Sequence, residues 1–104
     1  MCMDLSSRDR KQLKGLAHHL DAVVRVGRVG VTDGVLAETN RALEAHELIK
    51  IRIESDDGKK RREMADRLAE ATAAALVGVV GKIAILYRPD PEKPTIRLKG
   101  TRSR

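Results

Sequence analysis

Apolar residues recur along this chain with two different periods, and each change of period marks an element. Leu13, Leu16, Ala17 and Leu20 fall at i, i+3, i+4 and i+7, one face of a helix. Ser6 or Ser7 stands where its N-cap is needed, and the spacing predicts a first helix ending near His19. Gly15 lies inside that helix, at about 1 kcal/mol against alanine. Asp21 and Ala22 turn the chain into a β-branched run, Val23 to Val26, with Val24 and Val26 on one face and Val23 and Arg25 on the other. From Thr32 to about His46 the helical period returns, with Thr32 as N-cap and Val35, Leu36, Thr39, Ala42 and Leu43 facing inward. Leu48 to Glu54 then alternates: Ile49, Ile51 and Ile53 point one way, Lys50, Arg52 and Glu54 the other with Leu48. That is a strand with one largely polar face. A charged turn around Gly58 leads to a third helix expected over Lys59 to Ala75, buried along Met64, Leu68, Ala71 and Ala75, with Glu63 and Arg67 paired on its wet side. Two final strands, near Leu76 to Val80 and Ile83 to Tyr87, are joined by the tight turn Gly81-Lys82.

The order α-β-α-β-α-β-β defines a single compact α/β domain with a four-stranded mixed sheet. Two consecutive β-α-β units place their strands in parallel through right-handed crossovers, and the hairpin adds an antiparallel strand. The amphipathic second strand puts the second and third helices on one face; the pattern leaves the position of the first helix open. The domain is expected to occupy residues 1–90. Residues 91–104 form a basic tail, expected to be mobile or to add a short edge strand through Ile96 and Leu98.

Charge changes the picture from fold to partner. The net charge of +6 is not evenly spread. Residues 1–30 hold six Lys/Arg against three Asp/Glu, residues 31–80 eight against ten, and residues 81–104 seven against two. Positive charge at both ends of the chain suits a polyanion. Phe and Trp are absent and Tyr87 is the only aromatic residue. Stacking of bases on exposed rings is therefore closed to this chain, which leaves recognition by Lys/Arg and backbone N–H groups. No run of 18 apolar residues is present, so no membrane partner is expected. The N-terminus does not read as a secretory signal, and the lone Cys2 cannot form an internal disulfide; a cytoplasmic monomer is expected.

The stretch that meets these requirements is Gly27-Arg28-Val29-Gly30. It joins the first strand to the N-terminus of the second helix. Its glycines let a ligand approach the backbone, the helix start offers N–H groups and positive potential, and Arg28 adds a full charge. A GxxG loop is the device with which KH domains clamp a nucleic-acid backbone. Asp33 in the first turn opposes an anion unless its side chain points away. Around the loop the candidate RNA contacts are Lys11 and Lys14 on the first helix, Arg25, Lys50 and Arg52 on the strands, Lys82 in the hairpin and Arg88 beyond it. The run Lys59-Lys60-Arg61-Arg62 is offset by neighbouring acids and reads as a solvated helix start.

Catalysis finds little support. The candidates are His18, His19, His46 and Cys2, and none has the spacing of a metal site or a nucleotide-binding loop. No catalytic residue, metal or cofactor is expected. A protein-binding module is the other open class, and it is compatible with RNA binding.

Three blocks carry a family resemblance: LKGLAHHLDAVVRVGRVGVTDG (Leu13 to Gly34), HELIKIRI (His46 to Ile53) and VVGKIAILYRP (Val79 to Pro89). In this order they resemble the YhbY-like family, the stand-alone bacterial form of the CRM (chloroplast RNA splicing and ribosome maturation) domain. The resemblance implies an RNA-binding module with its GxxG loop between the first strand and second helix. It implies a fold similar to the C-terminal domain of translation initiation factor three, and association with ribosomal RNA in precursors of the large subunit. The family loop often reads Gly-Lys-x-Gly; here Arg28 stands in the lysine position, keeping the charge with a different geometry.

Overall fold

The strands assemble into one sheet in the order β1-β2-β4-β3. In the computed structural model, which describes residues 5–92, 94 and 96, these are β1 (Ala22–Val26), β2 (Leu48–Ile53), β3 (Ala75–Val80) and β4 (Ile83–Tyr87). β1 and β2 pair in parallel, and β4 pairs antiparallel with both β2 and β3. The hairpin strand is thus inserted in the centre, and β3 runs parallel to β2 two places away. The composition of β4, Ile-Ala-Ile-Leu-Tyr, is that of an interior strand, apolar on both faces. Gly81 opens the two-residue turn at φ +59, the left-handed conformation glycine adopts without strain.

Each face of the sheet has its own core. On one face Val24, Val26, Ile49, Ile51, Ile53, Ala84 and Leu86 pack against Leu43 of α2 (Asp33–Ala45) and Ala65, Leu68 and Ala69 of α3 (Gly58–Ala71). The two helices share a face, as the alternation in β2 implies. On the other face Leu48, Val77, Ile85 and Tyr87 pack against Leu13 and Ala17 of α1 (Ser7–Ala17), with Leu5 closing the end. The structure settles the position of α1. It lies alone on the face opposite α2 and α3.

Local chemistry explains the boundaries. α1 starts at a capping box, in which the Asp9 N–H donates to Ser6 Oγ (3.0 Å) and the Ser6 N–H to the Asp9 carboxylate (3.1 Å). It ends at Ala17, two residues before the expected end. Leu20 therefore lies beyond the helix, and Leu16 and Leu20 stay exposed. Thr32 caps α2 by accepting from the Val35 N–H (3.2 Å). α3 ends four residues earlier than its alanine-rich sequence predicts. Ala73 takes φ +56, and the Ala74 N–H donates to the Ala69 carbonyl (2.9 Å) and the Ala73 N–H to Glu70 (3.3 Å). This is a Schellman ending with alanine where glycine is usual. Its buried residues are Ala65, Leu68 and Ala69; Ala71 is exposed, and Ala75 already belongs to β3. After β4, the Glu47 carboxylate receives the N–H groups of Asp90 (2.6 Å) and Ile96 (3.0 Å). The edge strand expected through Ile96 and Leu98 does not form at Ile96, which lies in a bend; Leu98 and the last residues lie outside the described residues.

Two stability measurements follow. Left-handed alanine costs about 1–2 kcal/mol, so Ala73→Gly is expected to raise the unfolding free energy by about 1 kcal/mol in denaturant titrations. Burial, then the carboxylates of Glu47 and Asp9, raise the Tyr87 phenol above 10.0. The folded state thus favours the neutral phenol; its contribution is full below pH 10 and falls as pH rises through 10 toward the folded value. With one tyrosine in the chain, tyrosinate absorbance is expected to titrate later in native protein than in denaturant.

Candidate nucleic-acid interface

The register of the sheet places the basic residues of the strands. Arg25 pairs with Arg52, Arg52 with Ile83, and Ile83 with Val80, which makes one row across all four strands on the α1 side. The next row holds Lys50, Ile85 and Gly78, and the one below it Leu48, Tyr87 and Ala75. α1 covers the lowest row, and its Lys14 stem lies over Gly78, within 2.7 Å of where a Cβ would stand. The upper row is open: Val80 is 60% exposed and the Arg25 side chain 73%. Lys14, Arg25, Lys50 and Arg52 therefore share one half-open face, with Lys11 exposed one turn before Lys14.

These cations are held in different ways. The Lys50 ammonium donates to the Leu20 carbonyl (2.9 Å) where α1 leads into β1. Arg52 and Arg25 both reach Glu54, at 3.0 Å and 3.5 Å, so one carboxylate spaces two guanidiniums across neighbouring strands. Glu54 is itself fixed by its N–H donating to the Val26 carbonyl (3.0 Å).

The GxxG loop leaves the sheet at the same end. The Gly30 N–H donates to the Gly27 carbonyl (3.0 Å), which closes a turn with Arg28 and Val29 at its tip. Both tip residues are exposed, Val29 to 87%. Gly30 is buried at φ +94, whereas Gly27 has ordinary backbone angles; a Cβ at either would meet nothing within 4 Å. The first glycine serves close approach and the second the left-handed turn. Lys82 belongs to this end too: its carbonyl accepts from the Ile53 N–H (2.7 Å) and its ammonium pairs with Asp56 (3.2 Å). Arg88 is apart from the rest. It follows the other end of β4, where its guanidinium donates to Asn40 Oδ1 (2.9 Å) and the Thr72 carbonyl (2.7 Å), tying α2 to the end of α3.

Two further cations, one from the solvated start of α3 and one from the expected Glu63–Arg67 pair, are brought to the loop. Lys60 and Arg67 of α3, with Glu63 and Met64 between them, line a cavity of about 320 Å³ against Val29, Gly30 and Val31. Their i, i+3, i+4, i+7 spacing was the available signal, masked by the surrounding charge. The ion pair that forms on α3 is Arg62–Asp66 (3.8 Å), not Glu63–Arg67. A second, larger concavity of about 610 Å³ lies at the opposite end, between Leu16, Leu20, Val23 and the acids Asp21 and Glu44. Among the described residues, no three His, Cys, Asp or Glu lie close enough to hold a metal ion, and no helix is long and apolar enough to cross a membrane.

A mixed sheet with three helices, a glycine loop at its first strand–helix junction and a basic half-face beside that loop define a small α/β module with its positive charge gathered at one end of the sheet. The chain belongs to the CRS1/YhbY (CRM) domain family, whose model matches residues 5–88. It is 44% identical over 88 residues to an RNA-binding protein of Haemophilus influenzae, covering 85% of this chain and 89% of that protein. To the Bacillus subtilis protein named "Probable RNA-binding protein YqeI" it is 31% identical over 94 residues, 90% and 98% of the two chains. The solution structure of the hypothetical protein SAV1595 from Staphylococcus aureus, put forward as RNA-binding, superposes with a TM-score of 0.82 at 30% identity, covering 91% of this chain and 99% of that one.

The loop glycines differ in a measurable way. Gly30→Ala is expected to lose about 1–2 kcal/mol of stability, because its backbone is left-handed. Gly27→Ala is expected to stay within about 0.5 kcal/mol. Chemical denaturation of the two variants checks the contrast.

Proposed function

We propose that this protein binds structured RNA with the GxxG loop and the open half of the α1-side sheet face, and that the RNA is ribosomal RNA in precursors of the large subunit. It would act in the cytoplasm, alone or with ribosome assembly proteins. The observation that carries the reading is the convergence of Arg28, the Arg25–Arg52 pair and Lys82 at one end of the sheet, with Lys50 and Lys14 continuing down the same face. The names of the relatives support RNA as the partner; the family resemblance supports its ribosomal origin.

The physics of the surface points to backbone and shape recognition. Tyr87, the sole ring of the Phe/Tyr/Trp class, is buried beneath α1, so no such ring is offered to a base. Phosphates would be met by guanidiniums, by ammonium groups and by the loop backbone. The Arg25–Glu54–Arg52 arrangement holds two forked donors at fixed separation, suited to neighbouring phosphates rather than to base edges.

Binding of a structured large-subunit RNA fragment, titrated over several salt concentrations, tests the reading. Neutralising four to six phosphates gives a slope of log affinity against log salt of roughly −3 to −5. Arg28→Glu, at an exposed tip, is expected to change folding by no more than about 0.5 kcal/mol and to weaken binding by about 1–3 kcal/mol. A flat salt response, or full affinity in folded Arg28→Glu, would refute it.

A further inference from the structure

We propose that the cleft between the GxxG loop and α3 holds one unpaired nucleotide of the bound RNA, with its phosphate between Lys60 and Arg67. This rests on the RNA reading above and adds a single-stranded subsite to it.

The cations near the start of α3 have separate fates. Arg61 folds back to donate to the Ser55 carbonyl (2.7 Å), and Arg62 pairs with Asp66. The side chains of Lys60, and of Arg67 two turns further on, make no hydrogen bond or ion pair among the described residues. Both line the wall that faces the loop. The opposite wall is the loop backbone at Gly30, where no atom lies within 4 Å of a notional Cβ. A chain can therefore pass close to main chain on one side and to two cations on the other.

The size and lining of the cleft narrow the ligand. Its volume of about 320 Å³ is at the low end for ligand sites, room for one nucleotide and too little for a duplex. Val29, Val31 and Met64 supply the apolar contact that aromatic rings would otherwise give a base. Glu63 lines the same wall, which therefore carries one net positive charge, matched to a single phosphodiester. Its carboxylate can only accept, which suits a base with an exocyclic amino group, as carboxylates accept from cytosine N4. The carbonyl edge of uracil is repelled there.

The test compares an RNA hairpin carrying one bulged cytidine with the same hairpin fully paired, by fluorescence anisotropy. The wild-type protein is expected to prefer the bulged hairpin roughly tenfold, the size of one good base contact. Lys60→Gln with Arg67→Gln is expected to remove that preference and leave the paired hairpin's affinity within about twofold; Arg67→Gln alone moves the same way. Arg28→Glu lowers both affinities. Glu63→Gln is expected to erase the preference for a bulged cytidine over a bulged uridine. Thermal midpoints confirm folding of each variant. Equal losses on both hairpins in the double variant, or none on either, overturn the subsite while leaving the RNA reading intact. Failure of the wild-type protein to bind either hairpin or the ribosomal fragment overturns both.

Discussion

The antiparallel pairing of β2 with β4 is the constraint on which the rest of this structure depends. Five residue pairs, from Leu48 opposite Tyr87 to Arg52 opposite Ile83, lock an amphipathic strand to a wholly apolar one. Because side chains alternate with period two, a one-residue slip would turn Ile49, Ile51 and Ile53 away from α2 and α3 and force Lys50 and Arg52 into their place. That register sets Arg52 opposite Ile83 in the upper row, and the parallel pairing of β1 with β2 sets Arg25 beside Arg52. The basic row is a consequence of strand pairing before it is a consequence of side-chain chemistry.

The cations divide by what restrains them. Arg28 is exposed at a turn tip, whereas Arg25 and Arg52 are held through Glu54 and Lys50 through a carbonyl. Restraint lowers the entropy lost when a ligand arrives, at the cost of a competing contact. Arg88 marks the limit of reading charge as function, since its guanidinium is committed to joining two helices.

Much of this was legible in the chain itself. The element order, the GxxG loop and the polar face of β2 follow from periodicity and glycine placement, because those signals are local. What escaped is either non-local or set by competing propensities. The face chosen by α1 depends on Leu48, Val77, Ile85 and Tyr87 arriving together from three strands. The early end of α3 was hidden because four of the five residues from Ala71 to Ala75 are alanine, the strongest helix former, while the Schellman bonds and the Arg88 cap appear only in three dimensions. Lys60 and Arg67 were lost among neighbours of both signs, although only they, among the cations of α3, line the cavity beside the loop.

The bulge in β3 has a consequence for how the molecule meets its own copies. β3 is an outer strand of the sheet, and its run Ala-Leu-Val-Gly-Val-Val is the kind of uncharged, β-prone segment that adds strands from other chains. Its register shifts between Leu76 and Gly78, which breaks the even spacing a docking strand would need. The Lys14 stem lies across the gap at Gly78, and its ammonium places a charge beside that segment. A lysine of the basic face thus also sets a charge beside an outer strand, a feature of the kind that discourages edge-to-edge pairing.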